Sequence, residues 1–175
     1  IRLTLTRGVK ITSGMDPRLN QAGPTLIVLA EFKSPVYDDS GISLVTSSVR
    51  RTRPDSLVPK IHHNNLLTSI LAKVEANVAG AADALMLDDA GFVAETNATH
   101  LFHVLGGVVR TSTTRACPEG ITRETILEIC AASEIPVAVG DYSLTEVYNA
   151  DEVFMTGTMG VLTPVLTGDG RTIGS

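Results

Sequence analysis

The sequence predicts a mixed α/β (α+β) fold, because short strand patterns alternate with two amphipathic helical patterns. The clearest strand signal is a hairpin, in which the runs HLFHVL and VVRT flank Gly106-Gly107. Both glycines accept the positive φ angles that tight hairpin turns need. The clearest helical signal is a stripe of apolar residues at three- and four-residue steps before Gly80. Sheet and helix are therefore expected together in this chain of 175 residues.

Short apolar or alternating runs predict the other strands, each bounded by glycine, proline or aspartate turns. These strands cover residues 1–6, 25–32, 42–47, 84–88, 92–95, 136–139, 152–155, 161–166 and 172–173.

The first helix follows Lys60, and we expect it to be buried. Asn64 or Asn65 is expected to cap its start, and Gly80 to end it. Its predicted apolar stripe consists of Leu67, Ile70, Leu71, Val74 and Val78.

A second helix is predicted over 123–132, and a capping box starts a brief third one at Ser143 and Glu146. The residues of the second helix that we expect to face the core are Ile126, Leu127, Ile129 and Cys130.

Composition and charge exclude several classes of function. With 43% hydrophobic residues and a net charge of −5, the chain can build a core but lacks a nucleic-acid-binding footprint. The longest apolar run, 26–30, is far too short to span a bilayer, so no membrane partner is expected. Cys117 and Cys130 have no metal-site spacing, and we expect reduced, partly buried thiols in a cytoplasmic protein.

Two stretches could carry chemistry. Glu95 is an acid that closes an apolar strand, and the segment 120–122 offers unpaired amides at a helix start, a natural anion site. The segment 156–158 is a second Gly/Thr element at a strand end. Each has a plainer interpretation, since a strand-end acid can be solvated and Gly-x-Thr can be only a helix cap.

The remaining charged residues leave alternatives open. Arg50, Arg51 and Arg53 form a basic cluster that fits a solvated turn better than contact with an anionic ligand. His62 and His63 point oppositely on an extended segment and have no third ligand nearby, so we expect no metal, and either packing roles or contacts that support a residue of the site.

Taken together, the order and spacing of these elements resemble the class IV (fold-type IV) pyridoxal-phosphate aminotransferases, and within them the branched-chain amino-acid aminotransferases. The resemblance covers residues 1–175. The stretches that carry it are LMLDDAGFVAETNATHLF, TTRACPEGITR and ADEVFMTGTMGVLTPV.

The resemblance implies a role for each matching residue. Lys60 matches the catalytic lysine that bonds to the cofactor, and Glu95 the carboxylate that faces its pyridine nitrogen. Thr158 and Met159 match substrate-carboxylate contacts, and Arg2 an arginine near the active-site mouth. The implied cofactor-binding set is Lys60, Asn65, Glu95, Ala98, Gly120, Ile121, Thr122, Gly157 and Thr158.

Three departures from the family pattern stand out. Asn65 replaces a usual tyrosine and His100 a usual asparagine. The family's N-terminal segment, with a phosphate-binding arginine, is expected before Ile1, so the chain should be N-terminally incomplete. We therefore expect residues 1–32 to be the tail of a small domain, 33–37 an interdomain loop, and 38–175 the large cofactor-binding domain.

The implied activity is ping-pong transfer of an amino group between an amino acid, by resemblance a branched-chain one, and 2-oxoglutarate. The expected partners are amino-acid and 2-oxo-acid substrates and further copies of the chain, in a homodimer or higher homo-oligomer. Alternatives on the same fold are a 4-amino-4-deoxychorismate lyase and a D-amino-acid or (R)-amine aminotransferase. A different alternative is a folded fragment that is inactive by itself.

Overall fold

The computed structural model describes residues 1–37 and 40–174, and these fall into two compact units. Unit 1 covers Ile1–Ser34 and unit 2 begins at Pro35, so the division lies within the predicted loop 33–37. The predicted first residue of the large domain, 38, and its last, 175, lie outside the described ranges. The assignment of the units to a small-domain tail and a large domain stays a prediction.

Unit 1 is an antiparallel ribbon of two strands, β1 (Arg2–Thr6) and β2 (Thr25–Leu29), in which Arg2 lies opposite Leu29. A 3₁₀ turn over Pro17–Leu19 lies between them, capped by the Asp16 carboxylate. Strand β2 has the largely apolar sequence TLIVL, and all five of its residues are exposed. Since a two-stranded ribbon is marginally stable by itself, this unit has little core of its own.

The described residues of unit 2 form a nine-stranded mixed sheet. Its strands are β3 (Ile42–Thr46), β4 (Asp83–Leu87), β5 (Val93–Thr96), β6 (His100–Leu105), β7 (Val108–Ser112), β8 (Val137–Gly140), β9 (Glu152–Gly157), β10 (Val161–Gly168) and β11 (Arg171–Thr172). The main path runs β5-β4-β3-β10-β9-β6-β7-β8, and β11 pairs with β10. The pairs β3–β4, β3–β10 and β7–β8 are parallel, and the others are antiparallel.

The predicted hairpin is confirmed. Gly106 and Gly107 join β6 to β7 with φ values of 61° and 75°, a conformation that other residues rarely adopt. The observed mixed fold also matches the predicted class, with strand ends shifted by a few residues at most.

The first helix, α1 (Leu67–Val78), packs on β4 through small side chains. Ala72 and Ala76 are fully buried against Ala84 and Met86. Leu85 and Leu87 of the same strand point to the opposite face, where the largest apolar cluster lies. The alanines let the helix backbone lie close to the sheet, and Glu75 in the second half of α1 accepts hydrogen bonds from Ser47 and Ser48, which directly follow β3.

Two predictions about α1 were wrong. Its apolar stripe is exposed, with Val78 at 85% and Leu67 at 61%, because the alanine face occupies the core. The helix begins after Leu66, which makes no side-chain cap bond, so neither Asn64 nor Asn65 caps it. Its end is as predicted, since Gly80 follows with a φ of 71°.

The other helices are α2 (Ile121–Ala132) and α3 (Leu144–Tyr148). α2 begins two residues earlier than predicted, and its Ile129 is exposed instead of inward. Cys130 is buried against Phe102 and Val109. The predicted capping box of α3 is confirmed, since the Ser143 hydroxyl accepts from the Glu146 N–H and the Glu146 carboxylate accepts from the Ser143 N–H.

None of the helices in the described ranges has the length and apolarity needed to cross a membrane. Both cysteines are free thiols and are more deeply buried than the sequence predicts.

Candidate active site

Glu95 is a buried carboxylate on the third residue of β5. It pairs in register with Met86 of β4, so it faces the same side of the sheet as α1. Its side chain is only 7% exposed, and its Oε1 lies 2.7 Å from Nη2 of Arg51. The interpretation of a solvated strand-end acid is therefore excluded.

Arg51 is held rigidly by contacts to three parts of the chain. Its Nε donates to the Ala116 carbonyl at 3.0 Å, and its Nη1 donates to the Ser69 hydroxyl in the first turn of α1 at 3.2 Å. Its backbone N–H extends the parallel pairing of β3 with β4 by donating to Leu87. The sequence interpretation of a solvated arginine cluster is wrong at this position. A planar guanidinium can satisfy a carboxylate and two further acceptors at once, as lysine cannot.

Two opposing effects act on the proton affinity of Glu95. Burial raises its pKa to about 7, while the Arg51 guanidinium lowers it. The carboxyl group can therefore exchange a proton near neutral pH, and its charge is neutralised from one side by a cation that stays charged.

His100 and Cys117 complete the wall around Glu95. One donor atom from each of the three residues lies within 4.8 Å of the others, and all three are buried. Burial and the Glu95 charge raise the pKa of Cys117 to about 12, so its thiol stays protonated. These donor types suit zinc, but the positive charges of Arg51 and Arg123 act on the same cluster and disfavour the binding of a metal cation there.

The start of α2 is an uncapped helix N-terminus. Gly120 occupies the N-cap position with a φ of 73° and makes no side-chain cap bond, so the first amides of the helix point outward. Beneath them, Arg123 is buried and donates from Nη2 to the Ser112 carbonyl at 3.0 Å. Its Nε, also buried, has no hydrogen-bond partner within the described ranges. Amides and guanidinium together make this end of the helix strongly attractive to an anion.

Lys60 lies at the edge of this cluster. Its Nζ is 3.1 Å from Oε1 of Glu119, which directly precedes Gly120. Both side chains are largely exposed, at 51% and 74%, so this ion pair contributes little stability and restrains the amine weakly.

The loop after β9 brings the second Gly/Thr element to the same area. Gly157 packs against Thr99 so closely that an added Cβ would lie 2.9 Å from the Thr99 Cγ2 atom. Thr158 and Met159 follow as exposed residues, and the Val36 N–H donates to the Met159 carbonyl at 3.5 Å. Val161 ends the loop with a φ of 53°, a strained value for a β-branched residue.

The structure thus gathers Lys60, Glu95 and the segments 98–100, 117–123 and 156–159 of unit 2. Asn65 is exposed and donates its N–H to His63 Nδ1 at 3.2 Å, and Ala98 donates its N–H to the Thr96 hydroxyl at 3.2 Å. These contacts do not test a cofactor role for either residue, which stays a prediction. Arg2 lies on β1 of unit 1, and its substrate role stays a prediction too.

The sequence of the chain matches one known protein family. Residues 1–167 match the model of the amino-transferase class IV family. The chain is a class IV aminotransferase-family member.

The curated relatives of this class IV chain are named as branched-chain-amino-acid aminotransferases or as proteins similar to them. It is 54% identical over 175 residues to the Arabidopsis thaliana branched-chain-amino-acid aminotransferase-like protein 1, with 99% of this chain and 32% of that protein covered. It is 40% identical over 174 residues to a putative branched-chain-amino-acid aminotransferase of Methanocaldococcus jannaschii, with 99% of this chain and 60% of that protein covered. The chain therefore spans about a third of the plant relative's length and under two thirds of the archaeal one's.

Solved structures of the same family share the fold. A branched-chain amino acid aminotransferase of T.th. with pyridoxamine 5'-phosphate aligns with a TM-score of 0.86 and 36% identity, covering 94% of this chain and 55% of that one. The T.th. enzyme complexed with N-(5'-phosphopyridoxyl)-L-glutamate aligns with a TM-score of 0.76 and 40% identity, covering 78% and 46%. The predicted fold-type IV class is confirmed for the aligned part of this family member.

Proposed function

We propose that this chain is part of a pyridoxal-phosphate-dependent aminotransferase that moves an amino group between a branched-chain amino acid and 2-oxoglutarate by a ping-pong mechanism. The observation that carries the proposal is the pairing of a buried carboxylate, Glu95, with an uncapped helix start above a buried arginine, Arg123. Family membership and the relatives' names support the substrate class.

The residues present fit pyridoxal phosphate at both of its ends. Its phosphate is a dianion, and the outward amides at Ile121 and Thr122 with the Arg123 cation are donors suited to it. Its pyridine nitrogen is basic, and Glu95 is a carboxyl group that burial has poised near neutral pH. The site thus offers an acidic group for the basic nitrogen and a separate electropositive region for the phosphate.

When bound, pyridoxal phosphate supplies an aldehyde that takes up the amino group and a ring that accepts electrons from the substrate Cα. Glu95 would hold a proton at the pyridine nitrogen, and Arg51, whose Nη2 lies 2.7 Å from Oε1, keeps the carboxylate oriented. The helix-start amides would bind the phosphate. Because the same residues serve an amino acid and then a 2-oxo acid, one site performs both half-reactions.

Lys60 is the residue proposed to attach the cofactor and to move the substrate proton. Its Nζ must be free to bond and later to accept the Cα proton, and its weak, exposed pair with Glu119 leaves it free to move. The amides around Thr158 and Met159 are exposed beside this region and are proposed to bind the substrate carboxylate.

Cofactor trapping tests the proposal directly. Pyridoxal phosphate is added to the protein, the product is reduced with borohydride, and the modified peptide is identified by mass spectrometry. We expect the adduct on Lys60, and Lys60→Ala should lose both the adduct and the visible absorption of the bound cofactor while keeping the fold. Lys10→Ala is the control, because Lys10 is an exposed lysine of unit 1.

An adduct on another lysine, or unchanged absorption in Lys60→Ala, would contradict the assignment. Substrate class is read separately, by supplying L-leucine with 2-oxoglutarate, a D-amino acid, or 4-amino-4-deoxychorismate. Glutamate formed from L-leucine and 2-oxoglutarate supports the proposal. Pyruvate released from 4-amino-4-deoxychorismate would instead indicate a lyase.

A further inference from the structure

His100 contacts both ends of the proposed cofactor site. It is the first residue of β6 and pairs with Thr156 of β9, so its backbone is fixed within the sheet. Its buried ring places Nε2 2.8 Å from the Pro118 carbonyl oxygen and 3.8 Å from Oε2 of Glu95. One imidazole therefore lies between the carboxylate and the turn that leads into α2.

The protonation of this ring follows from its partners. A carbonyl oxygen can only accept a hydrogen bond, so Nε2 must carry the proton that it donates to Pro118. Burial lowers the pKa of His100 below its ordinary value; the hydrogen bond to Pro118 opposes this, and the nearby Arg123 and Arg51 cations lower the pKa further. The ring is therefore neutral at neutral pH, and Arg51 is left as the charged partner of Glu95.

The ring also holds Gly120. A Cβ on Gly120 would lie 2.3 Å from the His100 Cε1 atom, which means that the imidazole fills the space beside the glycine backbone. The turn Pro118–Gly120 is thus fixed at one end by a hydrogen bond and at the other by ring packing. Because the turn leads directly into α2, its position determines where the helix-start amides point.

We infer that His100 is a positioning residue that couples the two ends of the site: it fixes the helix-start amides of α2 relative to the Glu95 carboxylate. The inference deepens the proposed function and rests on it for the identity of the ligand. An asparagine side chain at this position would end about where Nδ1 of histidine lies. Only a longer side chain reaches the Pro118 carbonyl from this strand position.

Three substitutions separate coupling from simple packing. His100→Gln keeps a donor near the Nε2 position, His100→Asn is too short to reach it, and His100→Leu removes the polar group. His103→Leu is the matched control, since His103 is another buried histidine of β6 and its Nε2 has no hydrogen-bond partner in the described ranges.

Two measurements on the unliganded protein read the two ends. Amide hydrogen exchange of Glu124, whose N–H donates to the Gly120 carbonyl at 3.0 Å, reports on the first turn of α2, and the ¹³C titration of the Glu95 carboxyl reports on the other end. For His100→Leu and His100→Asn we expect about five- to tenfold faster exchange, as for loss of one buried hydrogen bond. For His100→Leu we also expect the Glu95 titration to move to higher pH, because an apolar neighbour solvates the carboxylate less.

His100→Gln should keep both wild-type values, and His103→Leu should change neither. A change at only one end in His100→Leu would overturn the coupling, as would no change at all. Adding pyridoxal phosphate and pyridoxal gives a third reading: the preference for the phosphorylated ligand should fall about three- to tenfold in His100→Leu. If the wild-type protein bound neither ligand, the proposed function would fail, and exchange with titration would still decide the role of His100.

Discussion

Arg51 and Glu95 form the central charge pair of the site. Removing two charges from water is costly, and the pair is retained because Arg51 also satisfies a carbonyl and a hydroxyl. Arginine does not release its proton in proteins, so any change of protonation in the pair falls on Glu95. The arrangement therefore confines proton exchange to Glu95, the residue proposed to face the cofactor's ring nitrogen.

Glu95→Gln tests this role. The amide cannot keep a pyridine nitrogen protonated, so we expect the rate of amino transfer to fall by roughly a hundredfold or more. Binding of the cofactor should persist, because the phosphate contacts lie on α2. Steady-state rates and cofactor absorption are measured together on the same preparation. A variant that binds the cofactor and turns over at the wild-type rate would refute the role.

His103 should make the fold sensitive to acid. Burial and the nearby Arg110 cation lower its pKa to about 4, whereas the unfolded chain has the ordinary value of about 6.5. A lowered folded-state pKa contributes stability above pH 6.5 that is lost as the pH falls toward 4. Between about pH 8 and about pH 4.5 this one group should remove about 2 to 3 kcal/mol of unfolding free energy.

The measurement is urea unfolding at both pH values for the wild type and His103→Phe. The phenylalanine ring can keep the edge contact with Tyr142, which lies 4.7 Å away between ring centroids. The variant should lose less stability than the wild type on acidification. Equal losses in the two proteins would show that His103 is not the responsible group.

The start of α2 depends on Gly120 for two independent reasons. Its φ of 73° is unfavourable for any residue with a Cβ, and the His100 ring occupies the space that a Cβ would need. Gly120→Ala should therefore lower the free energy of unfolding by more than the about 1 to 2 kcal/mol that a positive φ alone costs. Gly80→Ala is the matched control, with a φ of 71° and, apart from the glycine and its two chain neighbours, no atom of the described residues within 4 Å of the added Cβ. Thermal and urea unfolding of both variants give the comparison, and equal costs would remove the contribution of His100.

Local signals in the sequence are enough to predict the elements whose structure is locally determined. The positive φ angles of Gly106-Gly107 and the hydrogen bonds of the Ser143–Glu146 capping box depend only on residues close to each other in the sequence, and both predictions are confirmed. The face of α1 could not be predicted from periodicity, because Ala72 and Ala76 lie at the same spacing as the larger apolar residues. Only the close approach of β4 selects the alanine face.

The site shows the same division. Glu95 and the segment 120–122 stand out because an acid closes an apolar strand and a glycine precedes a helix. Arg51 was missed, because its burial depends on Ala116 and Ser69, which approach only in the folded chain. A weak signal existed, since an arginine just beyond a buried strand can reach a carboxylate at the end of a strand two places along the sheet. The resemblance carried the roles of Lys60, Thr158 and Arg2, which no local pattern distinguishes.

Strand β10 joins the two halves of the sheet in unit 2. Its residues 161–164 pair with β9 and its residues 165–168 pair with β3, and along the main path it lies between β5-β4-β3 and β9-β6-β7-β8. During synthesis, the two halves must therefore wait until the ribosome has released residue 168. Until then β3 and β9 each present an unpaired edge to other nascent chains. This sheet is therefore most at risk of misassembly until β10 emerges. By then the strands that precede β10 are already outside the ribosome.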